Sequence, residues 1–327
     1  MKEKTAIWVV TDGRAGNRAQ AMGLSEAIGR ARPVDIRETP IALKGWAAMV
    51  PPGLSQHFPT RAHGWPFSGL AEGAEQFQWP WPGIAIGAGR RSGPVVAALG
   101  RLHQIATVQL LNPQMATGAF DAVVVPGHDD LAGANVMSTI GALNRMTPQV
   151  IRTAAEAWRD RLTTLPEPRL AVLIGGLSKS ATFSEADGHN LIRALQALSR
   201  DFGLMVTTSR RTPASLVQAL NHALNDKTNT MIWTGAGDNP YPALLAYAHA
   251  VLVTEDSVNM ASEAASTGLP VHTFPLSRTD QKISRFHESL AARGASRRFR
   301  GQIDYWHYEP LAEADRIAAD LIRRAVI

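Results

Sequence analysis

Short apolar runs alternate with helical patterns along almost the whole chain. A first series of runs falls at Ala6–Thr11, Ile84–Gly87, Thr107–Leu111 and Ala122–Pro126. A second follows at Leu170–Ile174, Met205–Thr208, Met231–Thr234, Val251–Thr254 and Val271–Phe274. Each is short, rich in β-branched residues and closed by Gly, Pro or a polar cluster, as strands buried on both faces are. Between them apolar residues recur at helical spacing: Ala21, Leu24 and Ile28 mark one such face, and Gly29 ends it. Alternation of this kind predicts an α/β chain with parallel sheets. A helix opening at Pro148 and running into Leu165-Pro-Glu-Pro168 separates the two series. The expected partition is one α/β domain over 1–148, a linker helix over 149–168 and a second α/β domain over 169–309. An amphipathic helix over 310–327 follows, able to pack on either domain.

Residues 44–82 break the alternation. They hold Trp46, Trp65, Trp79 and Trp81 with Phe58, Phe67 and Phe77 and six prolines. Such an insertion either covers a small core of its own or presents a lipid-facing or acceptor-binding surface, since Trp and Phe beside Lys44, His57 and Arg61 suit a membrane interface.

Composition narrows the function classes. With 45% hydrophobic and 19% charged residues in 327, the chain is globular rather than disordered. The absence of cysteine excludes disulfides, thiolate zinc sites, iron–sulfur clusters and a cysteine nucleophile. No run reaches the roughly 18 apolar residues of a membrane span. Met1-Lys-Glu-Lys4 leads straight into a strand without a signal-peptide stretch, so a cytoplasmic protein is expected. The net charge of +5 is modest and favours an anionic ligand or surface. Arginine clusters interleaved with aromatics are lacking, so nucleic acid is not an expected partner.

Several strand ends carry chemistry. Thr11-Asp-Gly-Arg-Ala-Gly-Asn17, with Gln20 on the following helix, is a strand–turn–helix able to hold an anion on backbone N–H groups. There Asp12, Gly13, Arg14, Asn17 and Gln20 are candidates, although Asp12 could equally cap the helix or pair with Arg14. Gly87-Ala-Gly-Arg-Arg-Ser-Gly93 is one residue longer than the dinucleotide fingerprint, and no Asp or Glu occurs from Gln76 through Phe120. A dinucleotide is therefore not expected, and Arg90 and Arg91 suit a phosphate or carboxylate instead. Pro126-Gly-His-Asp-Asp130 offers His128 and Asp129 as an acid–base pair, but a single histidine makes a poor metal site. No metal or cofactor is expected.

The second half is richer. Ile174-Gly-Gly-Leu-Ser-Lys179 places Gly175, Gly176, Ser178 and Lys179 at a strand end, where glycines permit close backbone approach to a phosphate. Ser209, Arg210 and Arg211 end the next strand, and Gly235, Asn239 and Tyr241 follow the third. Asp256, Ser257, Val258, Asn259, Met260 and Glu263 lead into the helix after the fourth. All four loops belong on one carboxyl edge of a parallel sheet, where a single ligand can meet them.

Taken together, these segments resemble a known group. Ser257 to Val271, with Glu263 six residues after the serine and Gly268-Leu-Pro270 behind it, is similar to the donor-site helix of GT-B glycosyltransferases. The set TDGRAGN, GAGRRSGP, PGHDDL, GGLSKS, TTSRRTP and TEDSVNMASEA resembles the mitochondrial-fission, elongate-mitochondria family over about Trp8 to Phe299. The resemblance implies a GT-B-like α/β architecture, two Rossmann-like domains whose parallel sheets face a central cleft. It implies a donor nucleotide-sugar on the second domain, with Gly175, Gly176, Ser257, Val258 and Asn259 at the diphosphate. Lys179 and Arg210 or Arg211 would neutralise the leaving group, and Glu263 would hold the ribose. The acceptor would lie on the first domain, with Asp12 as general base and His128 or Asp129 in reserve. The expected activity is a metal-independent glycosyltransferase, with a membrane surface as a further partner at the inner face. Plant members of the group, implicated in recruiting a dynamin-related protein to mitochondria, imply a non-catalytic adaptor as the alternative. A nucleotide-sugar epimerase is the second alternative. Oligomeric state is left open.

Overall fold

A computed structural model describes residues 4–62, 64–178, 180–224 and 228–327. The chain opens with β1 (Thr5–Thr11), α1 (Ala15–Ala31) and β2 (Val34–Pro40). The tryptophan-rich stretch supplies β3 (Ala42–Leu43), α2 (Gly45–Met49), α3 (Pro52–Ser55) and β4 (Leu70–Glu72). Then come β5 (Ile84–Ala88), α4 (Gly93–His103), β6 (Ala106–Leu110), β7 (Ala122–Pro126) and β8 (Val136–Thr139). Six of these strands form a parallel sheet in the order β2-β1-β5-β6-β7-β8. Winding reverses between β1 and β5, which makes a crevice at their carboxyl ends. Alternate residues of β1 serve opposite layers, as the strand period demands. Ile7 and Val9 meet Leu24 and Ile28, while Trp8 and Val10 meet Val95 and Leu99.

The second sheet repeats the plan. Its elements are α5 (Pro148–Leu162), β9 (Arg169–Ile174), β10 (Ala181–Thr182), α6 (Glu185–Leu198), β11 (Gly203–Thr208) and α7 (Ala214–Leu224). They continue with β12 (Thr230–Trp233), α8 (Tyr241–Tyr247), β13 (Ala250–Thr254), α9 (Val258–Ala265), β14 (Val271–Phe274), β15 (Arg278–Thr279), α10 (Gln281–Ala292) and β16 (Ser296–Arg298). The parallel order is β12-β11-β9-β13-β14-β16, with the reversal between β9 and β13. Local chemistry sets the helix starts. Thr147 caps α5 ahead of Pro148, and Ser184 with Asp187 forms a capping box on α6. Among the described residues no helix is long and apolar enough to cross a membrane.

Two compact units result, one running to Arg145 and taking in Ala312–Ile327, the other Met146–Leu311. This division differs from the expected one. The supposed linker helix, α5, belongs to the second unit: the Tyr247 hydroxyl of α8 donates to the Ala155 carbonyl at 3.0 Å. The last helix, α11 (Glu313–Arg323), returns to the first unit, burying Ile317 and Leu321 beside Leu24 and Ile28. Its exposed Arg30–Asp315 pair (2.6 Å) is expected to matter little. In urea titration Arg30→Ala should cost under about 1 kcal/mol, and Ile317→Val about 0.5–1.5 kcal/mol.

Three strands of the six-stranded sheets were absent from the apolar pattern: β2, β8 and β16. All are sheet edges. Val34–Pro40 mixes Asp35, Arg37 and Glu38 into its run, and Ser296-Arg-Arg298 is almost wholly polar. An edge needs no second apolar flank, so the signal that marks central strands fades there.

Part of the tryptophan-rich stretch packs inward. Phe77 and Trp81 set their rings edge-on to Trp8 at 5.9 and 5.8 Å, and Phe67 and Leu70 join the same core. The outer part does not: Trp46, Met49, Leu54 and Trp79 are 50%, 79%, 54% and 80% exposed. The segment thus covers part of the first unit's core with its inner side chains, rather than a core of its own, and leaves its outer apolar side chains exposed.

Candidate functional site

The winding reversal of the second sheet brings the loops after β9, β11 and β13 together. At its centre lies Asp256, whose side chain has no solvent exposure. The Gly176 N–H donates to its Oδ2 at 2.7 Å and the Thr254 hydroxyl to its Oδ1 at 2.7 Å. Thr254 also accepts the Gly175 N–H at 2.8 Å. Burial pushes the Asp256 carboxyl above its ordinary range, against the pull of these donors and of Arg211, 3.6 Å away.

This arrangement corrects three expectations. The amides of Gly175 and Gly176 are already taken by the protein, so neither is free for a diphosphate. Asp256 is sealed from solvent and braces the loops rather than touching a ligand. The glycines serve loop packing: a Cβ on Gly175 would sit 2.6 Å from Asp256 Cγ, and one on Gly176 would run into the Arg211 carbonyl.

Further hydrogen bonds stitch the β11 loop to the β9 loop. Leu177 N–H donates to the Arg211 carbonyl at 3.1 Å, and the Thr212 hydroxyl donates to the carbonyls of Ile174 and Gly175. Ser209 accepts the Arg211 N–H at 3.1 Å, and Ser178 accepts the N–H groups of Ser180 and Ala181 at 3.2 and 3.0 Å. Both serines thus shape turns, which is the ordinary work of serine at such spacing. Lys179 lies outside the described residues. Arg210 and Arg211 stay exposed at the loop tip.

What remains open to a ligand is the start of α9. The Ser257 hydroxyl caps it by accepting Met260 N–H at 3.4 Å. The N–H groups of Val258 and Asn259, first in the helix, have no intrahelical acceptor. Positive dipole potential gathers there, next to the Arg211 guanidinium. Farther along the same helix, Glu263 accepts the Tyr241 hydroxyl at 2.7 Å. Burial raises the Glu263 carboxyl to about 7, against the Tyr241 hydrogen bond that favours its ionised form. Tyr241 is pushed far above its ordinary value by burial and by Glu263, and so stays a neutral donor. Asn239 accepts the Tyr241 N–H at 3.0 Å, which fixes the start of α8, while Gly235 with φ +105° lets the preceding loop turn.

In the first unit the loops after β1 and β5 share the crevice beside them. Asp12 accepts Asn17 Nδ2 at 3.0 Å and pairs with Arg14 at 3.3 Å. Gly13 turns the chain with φ +73°, and Asn17 fits so closely under Gly89 that a Cβ there would lie 2.6 Å from its amide. Gln20 is buried on α1. Arg90 and Arg91 follow β5. His128 and Asp129 end β7, three strands from β1. At about 4.8 Å per strand that is about 14 Å across the sheet, so the fold does not gather the three catalytic candidates into one constellation. Among the described residues no group of three His, Asp or Glu side chains could hold a metal ion.

Two residues with a part in this site escaped the sequence, Thr212 and Thr254. Their signal was spacing: Ser209-x-x-Thr212 is a turn motif, and Thr254 stands two residues before Asp256 at a strand end. His287 also supports the site from behind, its Nε2 2.8 Å from the Glu255 carbonyl, and burial holds its pKa low.

Solved structures share this architecture. UDP-GlcNAc 2-epimerase from Methanocaldococcus jannaschii matches with TM-score 0.58 at 12% identity, over 97% of this chain and 99% of that one. Medicago truncatula UGT71G1 complexed with UDP-glucose matches with TM-score 0.51 at 10% identity, over 97% and 89%. With its two six-stranded parallel sheets, the chain has the GT-B fold. Its family follows from sequence: the description of the mitochondrial fission ELM1 family matches residues 15–325, and the chain belongs to that family. Mitochondrial fission protein ELM1 of Arabidopsis thaliana is 31% identical over 74% of this chain, which spans 63% of that protein's length. Uncharacterized protein RP120 of Rickettsia prowazekii (strain Madrid E) is 28% identical, covering 95% of this chain and 96% of its own.

Proposed function

We propose that this chain is a metal-independent glycosyltransferase that takes a sugar from a nucleoside diphosphate and delivers it to an acceptor held at a membrane. One observation carries this above the others: the start of α9, with its unpaired amides, lies against the exposed arginine loop on one sheet edge. A diphosphate there meets helix dipole and guanidinium together. Glu263, on the same helix and held by Tyr241, is assigned to the ribose hydroxyls, with its remaining lone pairs as acceptors. In transfer, the acceptor hydroxyl attacks the anomeric carbon, the bond to the diphosphate breaks, and a base removes the hydroxyl proton. Charge then builds on the departing diphosphate, where Arg210 and Arg211 stabilise it. Asp12 is assigned as the base, with His128 and Asp129 in reserve, and it must exchange its Arg14 contact for the acceptor. The fold neighbours named for UDP-GlcNAc and UDP-glucose make a uridine nucleotide the first ligand to try.

A thermal-shift series with UDP, GDP, ADP and CMP tests this. One diphosphate at about 100 times its Kd should stabilise the protein by about 2.7 kcal/mol. The shift should vanish in Glu263→Ala and survive in Asp12→Ala. Silence towards every nucleotide would transfer the case to an adaptor, which the name of the Arabidopsis relative favours. Exchange of sugar isomers, or free nucleoside diphosphate released with no acceptor present, would instead point to an epimerase, as the M. jannaschii neighbour is named.

A further inference from the structure

A cavity of about 270 Å³ lies in the first unit, where α2 and α3 face the start of α4. Ala47, Met49, Val50, Pro52, Trp65 and Val95 give it apolar walls, and Arg90 and Arg91 stand among them. Neither guanidinium has a hydrogen-bond or ion-pair partner among the described residues. Nor does the sequence offer one nearby: no Asp or Glu occurs from Thr39 through Ala71 or from Gln76 through Phe120. A ligand filling this cavity meets two cations, Arg90 exposed and Arg91 half-buried, beside apolar walls, and so must have two characters. A bare phosphate would leave those walls wet. An uncharged oil would strip water from two guanidiniums without replacing its hydrogen bonds. From Met49 at the cavity wall the apolar character continues outward over Trp46 and Leu54, all three at least half exposed.

We propose that this cavity binds the phosphate head and first carbons of a single-chain lipid phosphate. The guanidinium fork matches phosphate oxygens, and two forks side by side match a monoester dianion. A volume near the lower end of ligand pockets, about 300–1,000 Å³, holds the head and the carbons next to it. The rest of the chain runs over Trp46, Met49 and Leu54, or remains in a bilayer on which those side chains rest. This assignment rests on the membrane-held acceptor proposed above and gives the chemical class of that acceptor's anchoring end; the hydroxyl that attacks the sugar is a separate group of the same molecule, since a phosphate dianion has no proton for Asp12 to remove. Its observations come from the first unit alone.

Isothermal titration of the full chain decides the matter with three probes: dodecyl phosphate below its micelle concentration, inorganic phosphate and dodecyl maltoside. Dodecyl phosphate should bind about tenfold or more tighter than either of the others, and Arg90→Gln/Arg91→Gln should weaken it by about tenfold or more. Val50→Asp should do the same from the apolar side. An unchanged melting temperature shows that each variant is folded. Equal affinity for inorganic phosphate would make this a free-phosphate site, and equal affinity for the maltoside a plain apolar one. Either result overturns the proposal, as do undetectable dodecyl phosphate binding and full affinity in the arginine double variant. A UDP shift without dodecyl phosphate binding sinks this proposal alone. The reverse result sinks the nucleotide assignment alone.

Discussion

Gly175→Ala is expected to melt the second unit early, by about 6–20 °C in calorimetry. The added methyl carbon would lie 2.5 Å from Asp256 Oδ1 and 2.6 Å from its Cγ, and nothing there is the loose end of a long side chain. Asp256 must then move, which separates it from the Gly176 N–H and the Thr254 hydroxyl. Disrupting a buried carboxylate's partners costs about 3–5 kcal/mol, and each kilocalorie is worth about 2–4 °C in a unit of this size. Gly176→Ala should behave alike, because its methyl group would press on backbone, the Arg211 carbonyl. Gly118→Ala is the control: its Cβ would meet nothing within 4 Å, and its φ is not in the left-handed region. That change should stay within about 0.5 kcal/mol. A Gly175→Ala protein that melts like the unaltered chain would mean that the three loops are not joined through Asp256.

The same two glycines show where sequence reading stops. Gly-Gly at a strand end before a helix reads as backbone laid bare for phosphate, and the loop does lie on the expected sheet edge. What the string of residues cannot carry is direction. Asp256 one strand over turns inward, claims the Gly176 amide and leaves the glycines with a packing task. Strand order is equally hidden. Asp12 and His128 both follow apolar runs and both end strands, yet β5 and β6 intervene between β1 and β7. The central strands were plain because burial on both faces demands unbroken apolar runs. Those of β2 and β16 were not, because an edge tolerates Arg37 or Arg297 as readily as valine. The existence of α9 was legible, since the polar cluster after Thr254 leads into a helix; its cap on Ser257 shows only in the structure, although capping chemistry is local and needs no partner from afar.

Glu263 gives the sharpest pH test. Its carboxyl titrates near 7 in the folded chain, against an ordinary value of 4.5, because burial penalises its charge. Between those two values the folded state holds a proton that the unfolded state has released. Stability therefore falls as pH rises from about 4.5 to about 7, by at most about 3 kcal/mol, and levels off above. In Glu263→Gln the amide oxygen still accepts the Tyr241 hydroxyl but carries no proton to lose, so this fall should disappear. The buried His272 and His287 act in the opposite sense, since burial holds their pKa values low and their contribution is lost as pH drops. Subtracting the Glu263→Gln urea curve from that of the unaltered protein at each pH cancels the histidines and isolates the glutamate. Above pH 7 the variant should be the more stable protein, and a difference curve flat between pH 4.5 and 7 would show that Glu263 is not held neutral. Function should move the other way. If the carboxylate accepts ribose hydroxyls, nucleotide affinity rises with pH as Glu263 ionises, since a charged acceptor binds more strongly than a neutral one. Glu263→Gln should flatten that rise too. A side chain that costs stability in its charged form while strengthening ligand binding in that same form is a group kept for its site, not for the fold.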